Sequence, residues 1–200
     1  TTLFRSIASG RQPATASLHP ENAGIAVNER GAIVVDKRLH TTADNIWAMG
    51  DVTGGLQFTY ISLDEYRIVR DELLGEGKRS TDDRKNVPYS VFMTPPLSRV
   101  GMTEEQARES GADIQVVTLP VAAIPRARVM NDTRGVLKAI VDNKTQRMLG
   151  ASLLCVDSHE MINIVKMVMD AGLPYSILRD QIFTHPSMSE SLNDLFSLVK

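Results

Sequence analysis

A charged, glycine-containing stretch, GEGKRSTDDRKN at Gly75–Asn86, separates two apolar parts of the 200-residue chain. A charged, polar and glycine-containing segment of this kind is typical of a linker between two compact units. Hydrophobic residues make up 42% of the chain, which is enough for one large core or two smaller ones. We therefore expect two compact units, joined by this linker segment.

Composition excludes several classes of protein. The 22 Lys and Arg nearly balance the 24 Asp and Glu, which argues against binding to nucleic-acid phosphates. The longest apolar stretch, Val116–Ile124, is too short to cross a membrane. A single cysteine, Cys155, rules out an intrachain disulfide and a Cys₄ or Cys₂His₂ zinc site. We expect a cytoplasmic protein with no nucleic-acid or membrane partner and, because it begins with Thr1, a fragment of a longer one.

The part before the linker segment is predicted to contain turns, short strands and one helix. Residues 1–32 are rich in turn formers and predict a loop, a short strand and a turn. The β-branched run Ala32–Asp36 and the apolar run Ile46–Met49 predict strands, the second of them buried. A helix over residues 59–74, ended by Gly75, is predicted from one apolar stripe, which comprises Tyr60, Leu63, Ile68, Val69 and Leu73.

The part after the linker segment is predicted to be an independent α+β unit. The predicted strands are 89–93, 114–119, 135–141 and 148–156. The predicted helices begin at a Thr103–Gln106 capping box, at a Ser158 cap, at Pro174 and at Ser187, the second ending near 171 and the last near 199. Because strands come first and helices last, we expect an antiparallel sheet with helices on one side.

Gly50 and Asp51 follow the predicted strand 46–49 and precede the predicted helix. A carboxylate at the carboxyl end of a strand can accept hydrogen bonds from ligand hydroxyls, and a helix N-terminus stabilises negative charge. The same pair is also common in plain turns. The residues alone leave both interpretations open.

Three motifs, in order along the chain, resemble those of the pyridine-nucleotide–disulfide oxidoreductases, the flavoproteins that include glutathione reductase, lipoamide dehydrogenase and mercuric reductase. Thr41 followed by IWAMGD at 46–51 resembles the family's second FAD-binding motif. ASGRQP at 8–13 resembles the segment that returns the chain from the NAD(P)-binding domain. FTHPSMSE at 183–190 resembles the C-terminal signature.

Shorter motifs at 57–60, 124–127 and 132–135 are most similar to mercuric reductase and its bacterial relatives. The chain departs from mercuric reductase in two respects. Its C-terminus, Leu198–Lys200, lacks a vicinal cysteine pair, and it carries the signature histidine that mercuric reductase lacks.

The resemblance implies three regions: the tail of an NAD(P)-binding domain at 1–32, a second piece of the FAD-binding domain with the linker segment at 33–86, and an interface domain at 87–200 that forms a homodimer. It also implies FAD and NAD(P)H as cofactors of the complete enzyme, with FAD contacted by Gly50, Asp51, Gln57, Phe58 and Thr59. The sequence contains no Gly-x-Gly-x-x-Gly and no Cys-x₄-Cys, so we expect the chain to be inactive alone.

The resemblance further implies that His185 is a proton shuttle acting across the dimer, with Glu190 behind it. A thiolate is the working nucleophile of such enzymes, and imidazole is suited to exchanging its proton at neutral pH. From the residues alone, Ser187 and Glu190 also match a helix capping box. Glu190 is therefore a cap, a histidine partner or both.

Other candidates are weaker. His159 and Glu160 are adjacent, but no further histidine or cysteine stands at metal-ligand spacing, so no metal site is predicted. Cys155 lies in an apolar predicted strand and is expected to be inert. Arg126 and Arg128 flank an Ile-Pro turn, from which they can reach a cofactor or a second subunit.

The resulting interpretation is a C-terminal portion of a FAD-dependent NAD(P)H oxidoreductase. Electrons pass through a redox disulfide outside this chain to a disulfide or other oxidised small-molecule acceptor. Two alternatives are a metal-ion or oxidant-defence reductase of the mercuric reductase type and a non-catalytic dimerisation module. The residues do not distinguish NADH from NADPH.

Overall fold

The computed structural model describes residues 9–200, so Ala8 and the remainder of segment 1–8 lie outside the described residues. The chain divides into two compact units between Arg84 and Lys85, a point inside the linker segment. In the described residues, no helix combines the length and apolar character needed to cross a membrane.

The first unit is built around one long helix, α1, at Thr59–Leu74. These are the bounds predicted from the sequence. Within residues 9–84, four short 3-10 helices accompany it, at Ala16–Leu18, Pro20–Ala23, Gly50–Thr53 and Thr81–Asp83.

The strands predicted for the two apolar runs of this unit are wrong. Ala32–Asp36 and Ile46–Met49 each contribute a single bridge, Val27 to Ile33 and His40 to Trp47. Neighbouring backbone groups bond to turns instead, since the Ile33 N–H donates to the carbonyl of Val52. A β-branched run becomes a strand only where a second strand pairs with it along its length.

The predicted packing face of α1 is also wrong in part. Ile61, Glu65 and Ile68 are buried, whereas Tyr60, Leu63 and Leu73 are 43%, 48% and 54% exposed. Both sets recur at helical spacing, and periodicity alone does not tell which of two adjacent stripes faces the core. The buried stripe is not apparent from an apolar pattern, because one of its residues, Glu65, carries a carboxyl group.

The first half of the linker segment folds back onto α1. The Asp71 carboxylate accepts hydrogen bonds from the backbone N–H groups of Lys78 and Arg79, at 2.8 and 2.9 Å. The Arg79 N–H, with those of Lys78 and Glu76, holds the pKa of Asp71 below its usual range despite an opposing effect of burial. Ser80 and Asp83 then form a capping box.

The second unit contains a five-stranded antiparallel sheet, and the expected α+β class is confirmed. The strand order is β1-β2-β5-β4-β3. The strands are β1 Tyr89–Val91, β2 Leu97–Gly101, β3 Ile114–Pro120, β4 Val136–Asp142 and β5 Met148–Leu154.

β2 was not predicted from the sequence. Its two buried positions are Ser98 and Val100, so only one of them contributes to an apolar alternation. The Ser98 hydroxyl shares hydrogen bonds with Ser90 on β1 and Ser158, at 2.8 and 2.9 Å. Satisfied hydrogen bonds allow a polar residue to occupy a core position.

Five α-helices and one 3-10 helix, at Val121–Ala123, complete the unit. The α-helices are α2 Glu104–Glu109, α3 Pro125–Val129, α4 Ser158–Asp170, α5 Ser176–Arg179 and α6 Ser191–Ser197. α4 packs on β2 and β5, and α6 packs on β3 and β4. One core joins them, and its fully buried side chains include Leu137, Leu153, Met161, Leu192, Leu195 and Phe196.

Of the helix starts predicted at Thr103, Ser158 and Pro174, the structure confirms the first and corrects the other two. Thr103 and Gln106 form the predicted capping box on α2. Ser158, however, is the first residue of α4 rather than its cap, and its hydroxyl donates to the Pro96 carbonyl at 2.9 Å. α5 begins at Ser176 rather than Pro174.

The last helix, α6, is shorter than predicted at both ends. It begins at Ser191 rather than Ser187 and ends at Ser197. The residues before it form a turn that separates the C-terminal motif from the helix.

Candidate functional site

The first candidate site is the loop that carries Gly50 and Asp51. Gly50 adopts a φ of +80°, and a Cβ added there would lie 3.1 Å from the Ser62 hydroxyl oxygen on α1. The Gly50 carbonyl accepts from the Thr53 hydroxyl at 2.9 Å. A positive φ and a close neighbour both favour glycine at this position.

The Asp51 side chain is 48% exposed and forms an ion pair with Arg11, Nη1 to Oδ2 at 3.2 Å. It borders a cavity of about 330 Å³, which is lined by Arg11, Gln12, Pro13, Ala14, Asp51, Val52 and Gln57. The cavity therefore offers a carboxylate that accepts hydrogen bonds and a guanidinium and two amides that donate them.

The structure brings only some of the predicted cofactor residues to this cavity. Asp51 and Gln57 line it. Phe58 is the N-cap of α1 and Thr59 its first residue, and no side chain caps this helix end. Phe58 also stacks on Tyr60, with ring centroids 5.0 Å apart. The sequence reasoning missed the contribution of Arg11 and Gln12, although both stand in the predicted return segment.

The second candidate site lies in the second unit, just before α6. His185 Nδ1 is 2.8 Å from Glu190 Oε2 and 3.1 Å from Oε1. The His185 side chain is 71% exposed, whereas that of Glu190 is 15% exposed. A sheltered carboxylate thus holds one ring nitrogen of an imidazole that remains open to solvent.

The alternatives for Glu190 differ in which of its groups they use. The Glu190 backbone N–H donates to the Ser187 hydroxyl at 3.2 Å, which is one half of a capping box. The Glu190 carboxylate, which would complete that box, is bonded to His185. The geometry therefore places the carboxylate with the histidine.

The remaining candidates have local partners. Cys155 is fully buried, and burial raises the pKa of its thiol to about 12. The His159 ring contacts Phe92 edge-on at 5.5 Å. The Arg128 Nε donates to the Ala122 carbonyl at 2.7 Å. Among residues 9–200, no three His, Cys, Asp or Glu side chains are grouped as metal ligands.

Comparison with known families accounts for both units. Residues 87–196 match the pyridine nucleotide-disulphide oxidoreductase dimerisation domain, and residues 5–65 match the pyridine nucleotide-disulphide oxidoreductase family. This chain belongs to the pyridine nucleotide-disulphide oxidoreductases. The resemblance inferred from the three motifs is confirmed.

Two relatives within this oxidoreductase family are especially informative. Mercuric reductase of Staphylococcus aureus is 37% identical over 186 residues, which cover 93% of this chain and 34% of that protein. The solved Cu(II) complex of HOCl-induced flavoprotein disulfide reductase RclA from Escherichia coli is 99% identical, with a TM-score of 0.96, over 96% of this chain and 45% of that chain.

A more distant structure, LpdA from Mycobacterium tuberculosis, is 24% identical with a TM-score of 0.85, over 94% of this chain and 41% of that one. At this identity it supports the fold alone. This chain spans between about a third and just under half of the length of these oxidoreductases.

Proposed function

We propose that this chain is the C-terminal portion of a FAD-dependent NAD(P)H oxidoreductase of the cytoplasm. It comprises the tail of the NAD(P)-binding domain at 1–32, the second piece of the FAD-binding domain at 33–86 and the interface domain at 87–200. The observation that carries the proposal is the 2.8 Å contact between His185 Nδ1 and Glu190 within the segment that matches the dimerisation domain.

The first candidate site fits FAD. Asp51 can accept hydrogen bonds from the hydroxyls of a ribityl chain, and Gln57 can donate one from its amide at the same cavity. Gly50 admits close approach of backbone, and Phe58 and Thr59 bring the positive end of α1 towards a negatively charged group. When bound, FAD supplies the transfer of two electrons from NAD(P)H to a redox disulfide.

His185 and Glu190 are proposed to control a proton. An ionised carboxylate only accepts hydrogen bonds, so the contact with Glu190 favours the tautomer protonated at Nδ1. The Nε2 atom is then free to take a proton from a thiol and return it to a leaving thiolate. Glu190 fixes the ring's tautomer and orientation.

The shuttle is proposed to act between subunits of a homodimer formed through residues 87–200. Two-fold symmetry would give two equivalent sites, each combining a redox disulfide from one subunit with His185 from the other. The match of this segment to a dimerisation domain supports the arrangement.

Substitution of His185 in the complete flavoenzyme tests this function. We expect His185→Ala to slow turnover with a disulfide acceptor by about 10²- to 10⁴-fold. Reduction of the flavin by NAD(P)H should change little, because no proton leaves a thiol in that half-reaction. Stopped-flow absorbance of the flavin and steady-state NAD(P)H oxidation separate the two steps.

Two further variants sharpen the test. Glu190→Gln should also slow disulfide turnover, whereas Ser187→Ala removes only the hydroxyl bonded to the Glu190 N–H and should leave turnover nearly unchanged. Equal disulfide turnover in the wild type and His185→Ala would contradict the proton-shuttle role.

A metal-ion or oxidant acceptor is the second candidate, since the relatives include mercuric reductases and a solved Cu(II) complex. The same His185→Ala variant discriminates between the acceptors. Unimpaired reduction of a metal ion, with no disulfide turnover in the wild type, would favour this candidate. A non-catalytic dimerisation module would be supported only if no Cys-x₄-Cys and no Gly-x-Gly-x-x-Gly precede this chain in its reading frame.

A further inference from the structure

Glu65 is a buried carboxylate that does not belong to the cavity beside Asp51. It lies on the inner stripe of α1 and is 3% exposed. Oε2 accepts a hydrogen bond from the Gly50 backbone N–H at 2.5 Å, and Oε1 accepts from Arg84 Nη2 at 3.0 Å. Both oxygens of this buried charge therefore have donors.

The contact with Gly50 acts on the backbone immediately before Asp51. The Gly50 N–H belongs to the peptide that joins Met49 to the loop, and Glu65 fixes the direction of that N–H. The Gly50 carbonyl is held separately by the Thr53 hydroxyl. The two hydrogen bonds restrain the residue on both sides, at a φ of +80°.

Arg84 extends this network into the linker segment. Its Nε donates to Asp64 Oδ2 at 2.8 Å, while its Nη2 binds Glu65. The Arg84 side chain is only 18% exposed, so little solvent weakens the pair. The adjacent carboxylates Asp64 and Glu65 thus share the Arg84 guanidinium. Asp64 also accepts from Arg79 Nη2 at 3.3 Å, but only Glu65 bonds to Gly50.

We propose that Glu65, held in place by Arg84, is a positioning residue for the flavin site: it orients the Gly50 backbone and so presents Asp51 to its ligand. This inference rests on the proposed function, because it assigns the Gly50–Asp51 loop to FAD. A loop that is fixed before binding loses less conformational freedom when the ligand arrives, so its affinity is higher.

Asp64 provides a matched control for Glu65. Asp64→Asn and Glu65→Gln each neutralise one carboxylate bound to Arg84, but only the second alters a partner of Gly50. Glu65→Met removes both hydrogen bonds and keeps an unbranched side chain of similar size in the buried position. In Glu65→Gln, a single amide oxygen remains to accept from both Gly50 and Arg84. The effect of this variant should therefore lie between those of the wild type and Glu65→Met.

The experiment uses the complete flavoenzyme that contains this chain. FAD affinity is measured from the fluorescence of released flavin, and hydrogen exchange is followed in the peptide containing Gly50. We expect Glu65→Met to raise the FAD dissociation constant by at least about tenfold and to accelerate exchange at Gly50 by a similar factor. Asp64→Asn should keep both quantities within about twofold of the wild type.

The outcomes separate three cases. Wild-type affinity and wild-type exchange in Glu65→Met would overturn the inference, as would equal losses in Asp64→Asn, which would indicate a general effect of the ion pair. If Glu65→Met does not fold, wild-type FAD affinity and wild-type exchange at Gly50 in Glu65→Gln would overturn the inference instead. A wild-type enzyme without flavin would refute the proposed function, and exchange at Gly50 would still decide whether Glu65 holds the loop.

Discussion

Ser98, Ser158 and Glu65 are among the polar side chains that are almost completely buried. Each has partners in place of water: the hydroxyls of Ser98 and Ser158 bond to one another, that of Ser158 also donates to the Pro96 carbonyl, and Glu65 accepts from Arg84 and Gly50. Burial without a partner costs about 1–3 kcal/mol per group. At the scale of single residues, a polar side chain is therefore buried only where other groups supply its hydrogen bonds.

Cys155 leads to a prediction about pH. Burial raises the pKa of its thiol from 9.0 to about 12, assisted by Asp157 and Asp132. The folded chain therefore disfavours the thiolate. Below pH 9 the thiol is neutral in both the folded and the unfolded chain, and its contribution to the free energy of unfolding is fully present. Between pH 9 and 12 the unfolded chain ionises first, so we expect the free energy of unfolding to fall by up to about 1.4 kcal/mol per pH unit.

Urea denaturation of the wild type and Cys155→Ala, at pH 8 and at several values from 9 to 11, checks this prediction. The variant should show a flatter dependence on pH in that window. In the native wild type at pH 8, a thiol reagent should react with almost no cysteine, and with one per chain after denaturation. Rapid labelling of the native chain would contradict both expectations.

At the scale of elements, the sheet of the second unit leaves no space beside some of its glycines. Gly135 precedes β4 with a φ of +111°, and a Cβ there would lie 1.8 Å from the Leu154 carbonyl oxygen on β5. Gly111 follows α2 with a φ of +74° and has no atom within 4 Å of a Cβ. An alanine at Gly111 would meet only backbone strain, whereas an alanine at Gly135 would meet both backbone strain and steric crowding.

We expect Gly135→Ala to lower the free energy of unfolding by about 3 kcal/mol or more, because the strand pair must move apart. Gly111→Ala should cost only about 1–2 kcal/mol, the price of an alanine in the left-handed region. Chemical denaturation of both variants measures the difference. Similar losses would show that β4 and β5 adjust to the added methyl group.

At the scale of the whole molecule, the second unit has its own sheet, helices and core, and it matches a dimerisation domain. Some of its large apolar side chains remain exposed, including Phe92 at 76% and Ile182 at 93%. Extensive exposed apolar surface is typical of surfaces that associate.

We therefore predict that the chain forms a homodimer in solution. Light scattering coupled to size-exclusion chromatography should give twice the chain mass of 22.0 kDa, with a fraction of dimer that rises with concentration. A mass of 22.0 kDa for this chain at all concentrations, together with the mass of a single subunit for the complete enzyme, would contradict the prediction.

The sequence by itself determined the elements whose signals are local. The bounds of α1, the Thr103–Gln106 capping box and four strands of the sheet follow from periodicity, side-chain capping and β-branched runs, which act within a few residues. The motifs that indicate the oxidoreductase family are likewise short runs of sequence, at 8–13, 41–51 and 183–190. One of these motifs contains both His185 and Glu190 and predicts that they act as a pair.

Only the tertiary structure decided the features that depend on a distant partner. β2 forms because its backbone pairs with β1 and β5, and its Ser98 is buried because Ser90 and Ser158 supply hydrogen bonds. Glu65 is buried because Arg84 and Gly50 supply its donors. The Ile46–Met49 run lacks a pairing strand among the described residues and stays a single bridge. In each case the free energy of burying a polar or backbone group depends on a partner that its neighbours in sequence do not reveal.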